Sequence, residues 1–180
     1  MSVYDPEVRS ESSTPAAACP VVEVLVPFYG DFEFLRRAVA SVLAQADGGW
    51  RLTVVDDGTE CGVSEWFDSI RDGRVRYLRN DRNLGVSGNF NRCLELAAQP
   101  LILFLGSDDV LLPNYIGAVR ELHARYPHAA AVQPAVEIID ERGRIRHPLV
   151  DTVKRRVYSP RVSGSAVFHG EPLALSVLRG

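Results

Sequence analysis

The sequence predicts an α/β protein with a doubly wound, mostly parallel sheet flanked by helices. Strand-like and helix-like segments alternate four times between residues 21 and 126. The connections are long enough for crossovers, which join parallel strands. The stretch Leu101–Leu105 is apolar throughout, as expected of a strand buried on both faces of a helix-covered parallel sheet. In such sheets ligands bind at the carboxyl ends of the strands.

The first strand and helix are predicted at 21–26 and 32–45. The strand is β-branched and apolar around Glu23, and we expect it to end at Pro27, which cannot donate to a ladder. In the helix, apolar side chains repeat with the spacing of one buried face. Residues 1–20 lack apolar periodicity and predict a disordered tail ahead of a domain over 21–180.

The middle of the chain predicts two further strand–helix pairs. A strand over 51–55 precedes a weak helix over 64–70, and a strand over 75–78 precedes a helix over 87–97. Phe90, Leu94 and Ala97 are expected on one face of the latter helix. The predicted strands are joined by polar loops, in agreement with an open α/β sheet.

The last predicted elements follow the apolar strand at 101–105. A helix is expected from Pro113, which suits a first turn, to Tyr126, just before Pro127. Residues 129–136 predict a fifth strand, and 137–148 a hairpin or excursion. Residues 172–178 resemble the start of a helix. The pattern is less regular in this part than in the rest of the chain.

Paired aspartates follow two of the predicted strands. Asp56 and Asp57 come after the second strand, and Asp108 and Asp109 after the fourth. Adjacent carboxylates are costly to hold together unless solvent, donors or a cation share their charge. From the pattern alone, a site for a divalent cation and phosphate and a helix-capping turn are equally good interpretations.

Composition excludes several classes of function. The 180 residues carry a formal net charge of -3, so no global basic field supports a nucleic-acid partner. No apolar run reaches the length of a membrane span, and the polar start lacks a signal peptide's apolar core. Three cysteines and four histidines show no metal-ligand spacing, and the single lysine is in no P-loop. We predict a cytoplasmic protein, with peripheral attachment to the inner face of the membrane as the alternative.

Four motifs resemble those of the family-two glycosyltransferases, which have the Rossmann-like, nucleotide-binding GT-A fold. They cover roughly residues 21–133 in the family's order. The motifs are Val26-Pro27-Phe28-Tyr29, Val54-Val55-Asp56-Asp57-Gly58-Thr59, Asn83-Leu84-Gly85 with Asn89 to Asn91, and Ser107-Asp108-Asp109 with Pro113. The resemblance implies an enzyme of polysaccharide or cell-surface glycan synthesis. It would transfer a sugar from a nucleoside-diphosphate sugar to a hydroxyl of a sugar or lipid-linked acceptor, with inversion.

The resemblance also implies roles on the donor side. Asp57 would bind the nucleotide base, and a carboxylate can accept the imide N–H of uracil or thymine, which favours a UDP- or dTDP-linked donor. Pro27 and Tyr29 would line the same pocket, unless Tyr29 only packs the loop. Asp109 would ligate Mg²⁺ or Mn²⁺ at the diphosphate, and Asp108 would reach the ribose or sugar.

The implied chemistry needs positive charge near the donor diphosphate. Negative charge builds on the departing nucleoside diphosphate, and a metal held by hard oxygen ligands neutralises it. Arg82 is a further candidate for this role, although a lone exposed arginine is more often solvated. Helix amino termini are also suited to an anion.

Two features depart from the family pattern. Gly106 stands where many members carry a further aspartate, so one donor contact is expected to be missing. The family's catalytic base is a carboxylate in a later segment, which the resemblance places beyond Gly180, so we expect an incomplete acceptor part. Glu171 is a possible substitute that no motif supports.

Two other functions remain open at this point. A nucleotide-sugar-binding module without turnover would fit the missing base. A response-regulator-like domain with a phosphorylated aspartate would instead expect acidic residues after the first strand and a lysine after the last. In this sequence the acidic pairs follow strands two and four, and Lys154 lies past the predicted sheet.

Overall fold

The computed structural model describes residues 20–59, 62–132, 134, 136–140 and 143–146. The chain divides into two compact units, one over residues 13–128 and one comprising 1–12 and 129–180. In the described part of the first unit, strands and helices alternate. They are β1 (Val22–Phe28), α1 (Phe32–Leu43), β2 (Trp50–Asp56), α2 (Val63–Ser69), β3 (Val75–Arg79), α3 (Gly85–Leu96), β4 (Leu101–Phe104) and α4 (Tyr115–Arg125).

The four strands form one parallel sheet in the order β3-β2-β1-β4. The chain moves outward from β1 to β3 and then returns to place β4 on the other side of β1. Because parallel crossovers are right-handed, this reversal puts helices on both faces of the sheet. The predicted doubly wound, mostly parallel fold is therefore confirmed, with its switch point between β1 and β4.

The core lies on both faces of the sheet. On one face, buried side chains of α1, α2 and α4, including Leu35, Phe67 and Ile116, pack against β1 and β2. On the other face Cys93 of α3 packs against Leu25 and Val55. The alternating strand residues thus separate into two apolar layers, as expected when helices cover both faces.

Helix α1 has the predicted apolar face. Leu35, Val39 and Val42 are buried, and the Asp31 carboxylate caps the first turn by accepting from Glu33 N at 2.7 Å. Among the described residues, no helix combines the length and apolarity that crossing a bilayer requires.

Strand β1 does not end at Pro27, as the sequence predicted. Pro27 pairs with Val55, and the strand continues to Phe28. Along β1, the backbone polar groups of successive residues face β2 and β4 in turn. Leu25 faces β4, since its oxygen accepts from Leu105 N. Pro27 faces the same side, beyond the end of the β4 ladder. Its missing N–H therefore costs no bond within the sheet.

Helix α3 buries a different face from the predicted one. Phe90 and Leu94 are 39% and 49% exposed, whereas Asn89 and Cys93 are buried against the sheet. The buried face is therefore rotated by one residue, about 100°, from the apolar stripe. A polar side chain at the centre of a buried face is informative, because it needs partners there.

Strand β4 is less buried than its sequence predicted. Ile102 is 44% exposed, and β4 pairs with β1 on one side only within the described residues. An uninterrupted apolar run cannot by itself distinguish a central strand from an edge strand.

The second unit contains the predicted hairpin. Strands β5 (Ile138–Ile139) and β6 (Ile145–Arg146) are antiparallel, and Gly143 takes a positive φ in the turn between them. The predicted fifth strand is wrong at the described positions among 129–136, which are irregular. The tail 1–19, Glu171 and the helix start at 172–178 lie outside the described residues.

Candidate functional site

Polar side chains lie at the carboxyl ends of all four parallel strands. Tyr29 follows β1, Asp57 follows β2, Asn80 follows β3, and the turn containing Asp108 and Asp109 follows β4. Carboxyl ends of parallel strands share one edge of the sheet, so these residues belong to one region of the surface.

Asp56 holds the loop after β2 in shape. It is fully buried, and its Oδ1 accepts from Gly58 N at 3.1 Å and Thr59 N at 2.9 Å. Its Oδ2 accepts from the Tyr77 hydroxyl at 2.6 Å. Burial, followed by this hydrogen bond, raises the pKa of Tyr77 well above its usual range. Both oxygens of Asp56 are thus engaged by its own protein, and its complete burial keeps it from a ligand.

Asp57 has one engaged and one available carboxylate oxygen. Its Oδ1 accepts from Asn80 Nδ2 and from Leu84 N, each at 2.8 Å. Its Oδ2 has no hydrogen-bond partner in the part of the chain that the structure describes, and it is not fully enclosed. The residue as a whole is only 2% exposed. Oδ2 is therefore the one acceptor atom left available on an otherwise buried, fixed carboxylate.

One of the two donors to Asp57, Asn80, is itself fixed by a buried asparagine of α3. Asn89, 3% exposed, accepts from Asn80 Nδ2 at 3.1 Å and donates to the oxygen of Val55 at 2.9 Å. We call Asp57, Asn80 and Asn89 the carboxamide chain. Sequence reasoning assigned no role to Asn80 or Asn89. The available signal was a polar residue four positions before buried Cys93, on the same helix face.

Asp108 and Asp109 turn back over Gly106. A Cβ at Gly106 would lie 2.7 Å from Oδ2 of Asp109 and 3.0 Å from Oδ1 of Asp108. The turn is closed by Asp109 N, which donates to Gly106 O at 3.0 Å. Partial burial and then the Asp108 charge raise the pKa of Asp109. Both carboxylates thus occupy the space that a Cβ at position 106 would take, so a side chain there would require them to move.

This carboxylate pair suits a divalent cation. Its oxygens are the hard ligands that Mg²⁺ and Mn²⁺ prefer, and among the described residues neither side chain has an ion-pair partner. Among the residues that the structure describes, no three or more His, Cys, Asp or Glu side chains are grouped so that they could hold a metal ion. The pair therefore fits a cation that takes its remaining ligands from water or a substrate.

The segment after the aspartates is fixed by Ser41 of α1 and by Gln45, two residues past its end. Gln45 donates to the oxygen of Leu112 at 2.7 Å and accepts from Ile116 N at 3.0 Å. Ser41 Oγ accepts from Leu111 N at 3.0 Å. These bonds join residues about seventy positions apart and hold the chain between the carboxylate pair and α4.

Arg82 shares a cavity with two residues that donate hydrogen bonds to Asp57. It is exposed and lines a cavity of about 580 Å³. The other lining residues are Arg79, Asn80, Asp81, Leu84 and Arg92. Asn80 and Leu84 thus connect the cavity to Asp57, which does not itself line it.

The remaining predicted donor residues are at the end of β1. Tyr29 is 66% exposed, and Pro27 is half-buried within the strand rather than in the loop that follows. Tyr29 has no hydrogen bond or ring contact among the described residues, so its exposed ring is able to contact a ligand.

Comparison with known proteins identifies the family. The model of glycosyl transferase family 2 matches residues 23–170, and the chain belongs to this family. An uncharacterized protein of Mycobacterium tuberculosis is 31% identical over 161 residues, covering 85% of this chain and 50% of that protein. The family assignment favours the glycosyltransferase interpretation over a response regulator.

Two named proteins are also similar. The UDP-Glc:alpha-D-GlcNAc-diphosphoundecaprenol beta-1,3-glucosyltransferase WfgD of Escherichia coli is 30% identical over 94 residues, covering 52% of this chain and 37% of WfgD. The crystal structure of S. aureus TarS 1-349 in complex with UDP-GlcNAc matches 59% of this chain and 32% of that chain, with a TM-score of 0.56 and 19% identity. The chain thus spans about half the length of its curated relatives or less. The structural match supports the GT-A fold.

Proposed function

We propose that this chain forms the donor-binding part of an inverting, metal-assisted glycosyltransferase. The donor would be a UDP- or dTDP-linked sugar, and the acceptor a hydroxyl of a sugar or lipid-linked glycan. The observation that carries the proposal is that Asp57 follows β2 and the Asp108–Asp109 pair follows β4. These two strands flank β1, so both groups lie at the carboxyl-end edge of the sheet.

The spacing of these groups suits a nucleoside diphosphate. Neighbouring strands lie about 4.8 Å apart, so the ends of β2 and β4 are separated by roughly 10 Å. A nucleoside diphosphate is an extended molecule with its base at one end and its diphosphate at the other. Asp57 would accept from the base, while Asp109 would hold the cation at the diphosphate and Asp108 would reach the ribose or sugar. Pro27, on the strand between them, and Tyr29, just after that strand, would line the pocket.

The chemistry follows from the charge of the leaving group. A base deprotonates the acceptor hydroxyl, which attacks the anomeric carbon opposite the diphosphate and so inverts its configuration. A bound Mg²⁺ or Mn²⁺ would neutralise the charge that develops on the nucleoside diphosphate. In this chain Arg82 is a candidate for a further contact to the donor. The base itself is assigned to no described residue.

A thermal-shift titration tests the donor site. UDP, dTDP and GDP are each added with and without Mn²⁺ to the native chain and to Asp109→Asn. A ligand at about a hundred times its dissociation constant stabilises the fold by roughly 2.7 kcal/mol, which is readily measured. We expect stabilisation by UDP or dTDP that needs Mn²⁺ and is lost in Asp109→Asn. Asp68→Asn, an exposed aspartate of α2, is the matched control and should respond like the native chain.

Two results would contradict the proposal. If no nucleotide stabilises a cooperatively folded native chain, the donor site is not functional. If Asp109→Asn responds as fully as Asp68→Asn, the carboxylate pair does not hold the cation. Nucleotide binding without sugar transfer to any acceptor would instead support a binding module without turnover.

A further inference from the structure

The hydrogen bonds of the carboxamide chain fix the direction of each amide. Val55 O and the Asp57 carboxylate, at its two ends, can only accept. Asn89 must therefore present its NH₂ to Val55 and its oxygen to Asn80. Asn80 then uses both amide protons, one to Asn89 and one to Asp57. A network whose ends are both acceptors has one consistent arrangement.

This arrangement occupies one of the two carboxylate oxygens of Asp57. A carboxylate oxygen has about two acceptor sites, and Oδ1 already accepts from Asn80 and from Leu84 N. Only Oδ2 remains for a ligand. Asn89 is 3% exposed and is linked to Asp57 by its hydrogen bond from Asn80, so it acts on Asp57 through Asn80.

Nucleotide bases differ in how many donors they present to a carboxylate. Uracil and thymine offer one, the N3–H between two carbonyl oxygens. Guanine offers two adjacent donors, N1–H and the 2-amino group, which pair best with both oxygens of one carboxylate. Cytosine and adenine present a ring nitrogen that only accepts, and a carboxylate cannot donate to it.

We propose that Asn89 is a positioning residue for base selection. By holding Asn80 against Oδ1 of Asp57, it leaves a single acceptor atom that matches the one donor of uracil or thymine and disfavours guanine. This inference rests on the proposed function, since it concerns the same donor site. It adds a residue that touches no ligand but determines which bases Asp57 can bind.

Isothermal titration calorimetry with UDP and GDP, in saturating Mn²⁺, tests the inference on the 180-residue chain. We expect the native chain to bind UDP at least about tenfold more tightly than GDP. In Asn89→Ala, UDP binding should weaken roughly threefold to tenfold, the effect of about one lost hydrogen bond, while GDP binding does not weaken. The UDP-to-GDP ratio should therefore fall. Asn91→Ala, an exposed position on the same helix, should keep the native ratio.

The UDP-to-GDP affinity ratio distinguishes a positioning role from a general structural defect, because a structural defect would weaken the binding of both nucleotides together. If Asn89→Ala does not fold, Asn80→Ala at its half-buried position provides the same comparison by removing the donor to Oδ1 directly. An unchanged ratio in the folded variants overturns the inference. Equal binding of UDP and GDP by the native chain also overturns it but leaves the proposed donor site intact. Absence of binding by the native chain contradicts both.

Discussion

Adjacent aspartates in this chain have different environments and therefore different capacities. Both oxygens of Asp56 are engaged, by backbone N–H groups and the Tyr77 hydroxyl, whereas Asp57 keeps one oxygen available. Asp108 and Asp109 face the same space above Gly106 and repel one another. The residue pattern identified both pairs, and only the family resemblance selected Asp57 from the first pair. The physical basis of that division is tertiary, because it depends on donors from β3 and from the loop that follows it.

At the residue scale, Asp109→Asn should stabilise the ligand-free protein at neutral pH. The folded-state pKa of Asp109 is raised from its ordinary 3.8 by partial burial and by Asp108. Its contribution to stability is therefore complete below 3.8 and is lost as pH rises through the folded-state pKa. After allowance for solvent screening we expect a Tm increase of roughly 1–2 °C at pH 7 that disappears near pH 3.

Melting curves of the native chain and Asp109→Asn across this pH range measure the difference. Asp68→Asn, whose carboxylate is exposed on α2, should show no such pH-dependent gain. A lower Tm for Asp109→Asn at pH 7 would show that the ionised carboxylate stabilises the empty site.

At the element scale, α1 both covers the sheet and holds the segment that follows the carboxylate pair. Gln45 is 8% exposed and makes bonds to Ser41 O, Leu112 O and Ile116 N. Sequence periodicity predicted the helix because its apolar face is a local pattern. The role of Gln45 could not be predicted, since its principal partners lie about seventy residues away.

Gln45→Ala should destabilise the protein by about 2–3 kcal/mol, because it leaves the buried Ile116 N–H without its acceptor and Leu112 O without its donor. Chemical denaturation with urea measures the free energy of unfolding. Gln99→Ala, whose side chain makes no hydrogen bond among the described residues, should change it by less than about 0.5 kcal/mol. Similar values for both variants would contradict the role of Gln45.

At the scale of the larger unit, one arginine joins three distant parts of the chain. Arg120 of α4 donates to Pro20 O at 3.1 Å and to Asp47 Oδ2 at 2.6 Å. A Cβ at Gly49 would collide with its guanidinium, so the glycine leaves room for it. The Arg120 hydrogen bonds, followed by that from Gly49 N, lower the pKa of Asp47.

Asp47→Asn should therefore lower stability at neutral pH and have little effect in acid. A lowered folded-state pKa contributes stability above 3.8 that is lost as pH falls through the folded-state value. We expect a loss of about 1–2 kcal/mol at pH 7, measured by urea denaturation, that shrinks below pH 4. Glu33→Gln, which breaks an exposed pair with Arg36, should cost less than about 0.5 kcal/mol. Equal losses for the two variants would contradict this expectation.

The sequence by itself determined the alternation of strands and helices, the parallel sheet and the positions of both aspartate pairs. These features are written in local periodicity and in residues adjacent along the chain. Tertiary structure alone decided the exposure of β4, the continuation of β1 through Pro27 and the buried face of α3. It also decided that Asn89, through Asn80, fixes one oxygen of Asp57. Each of these depends on which strands become neighbours. Such contacts join residues that are distant in sequence, so no local sequence pattern predicts them.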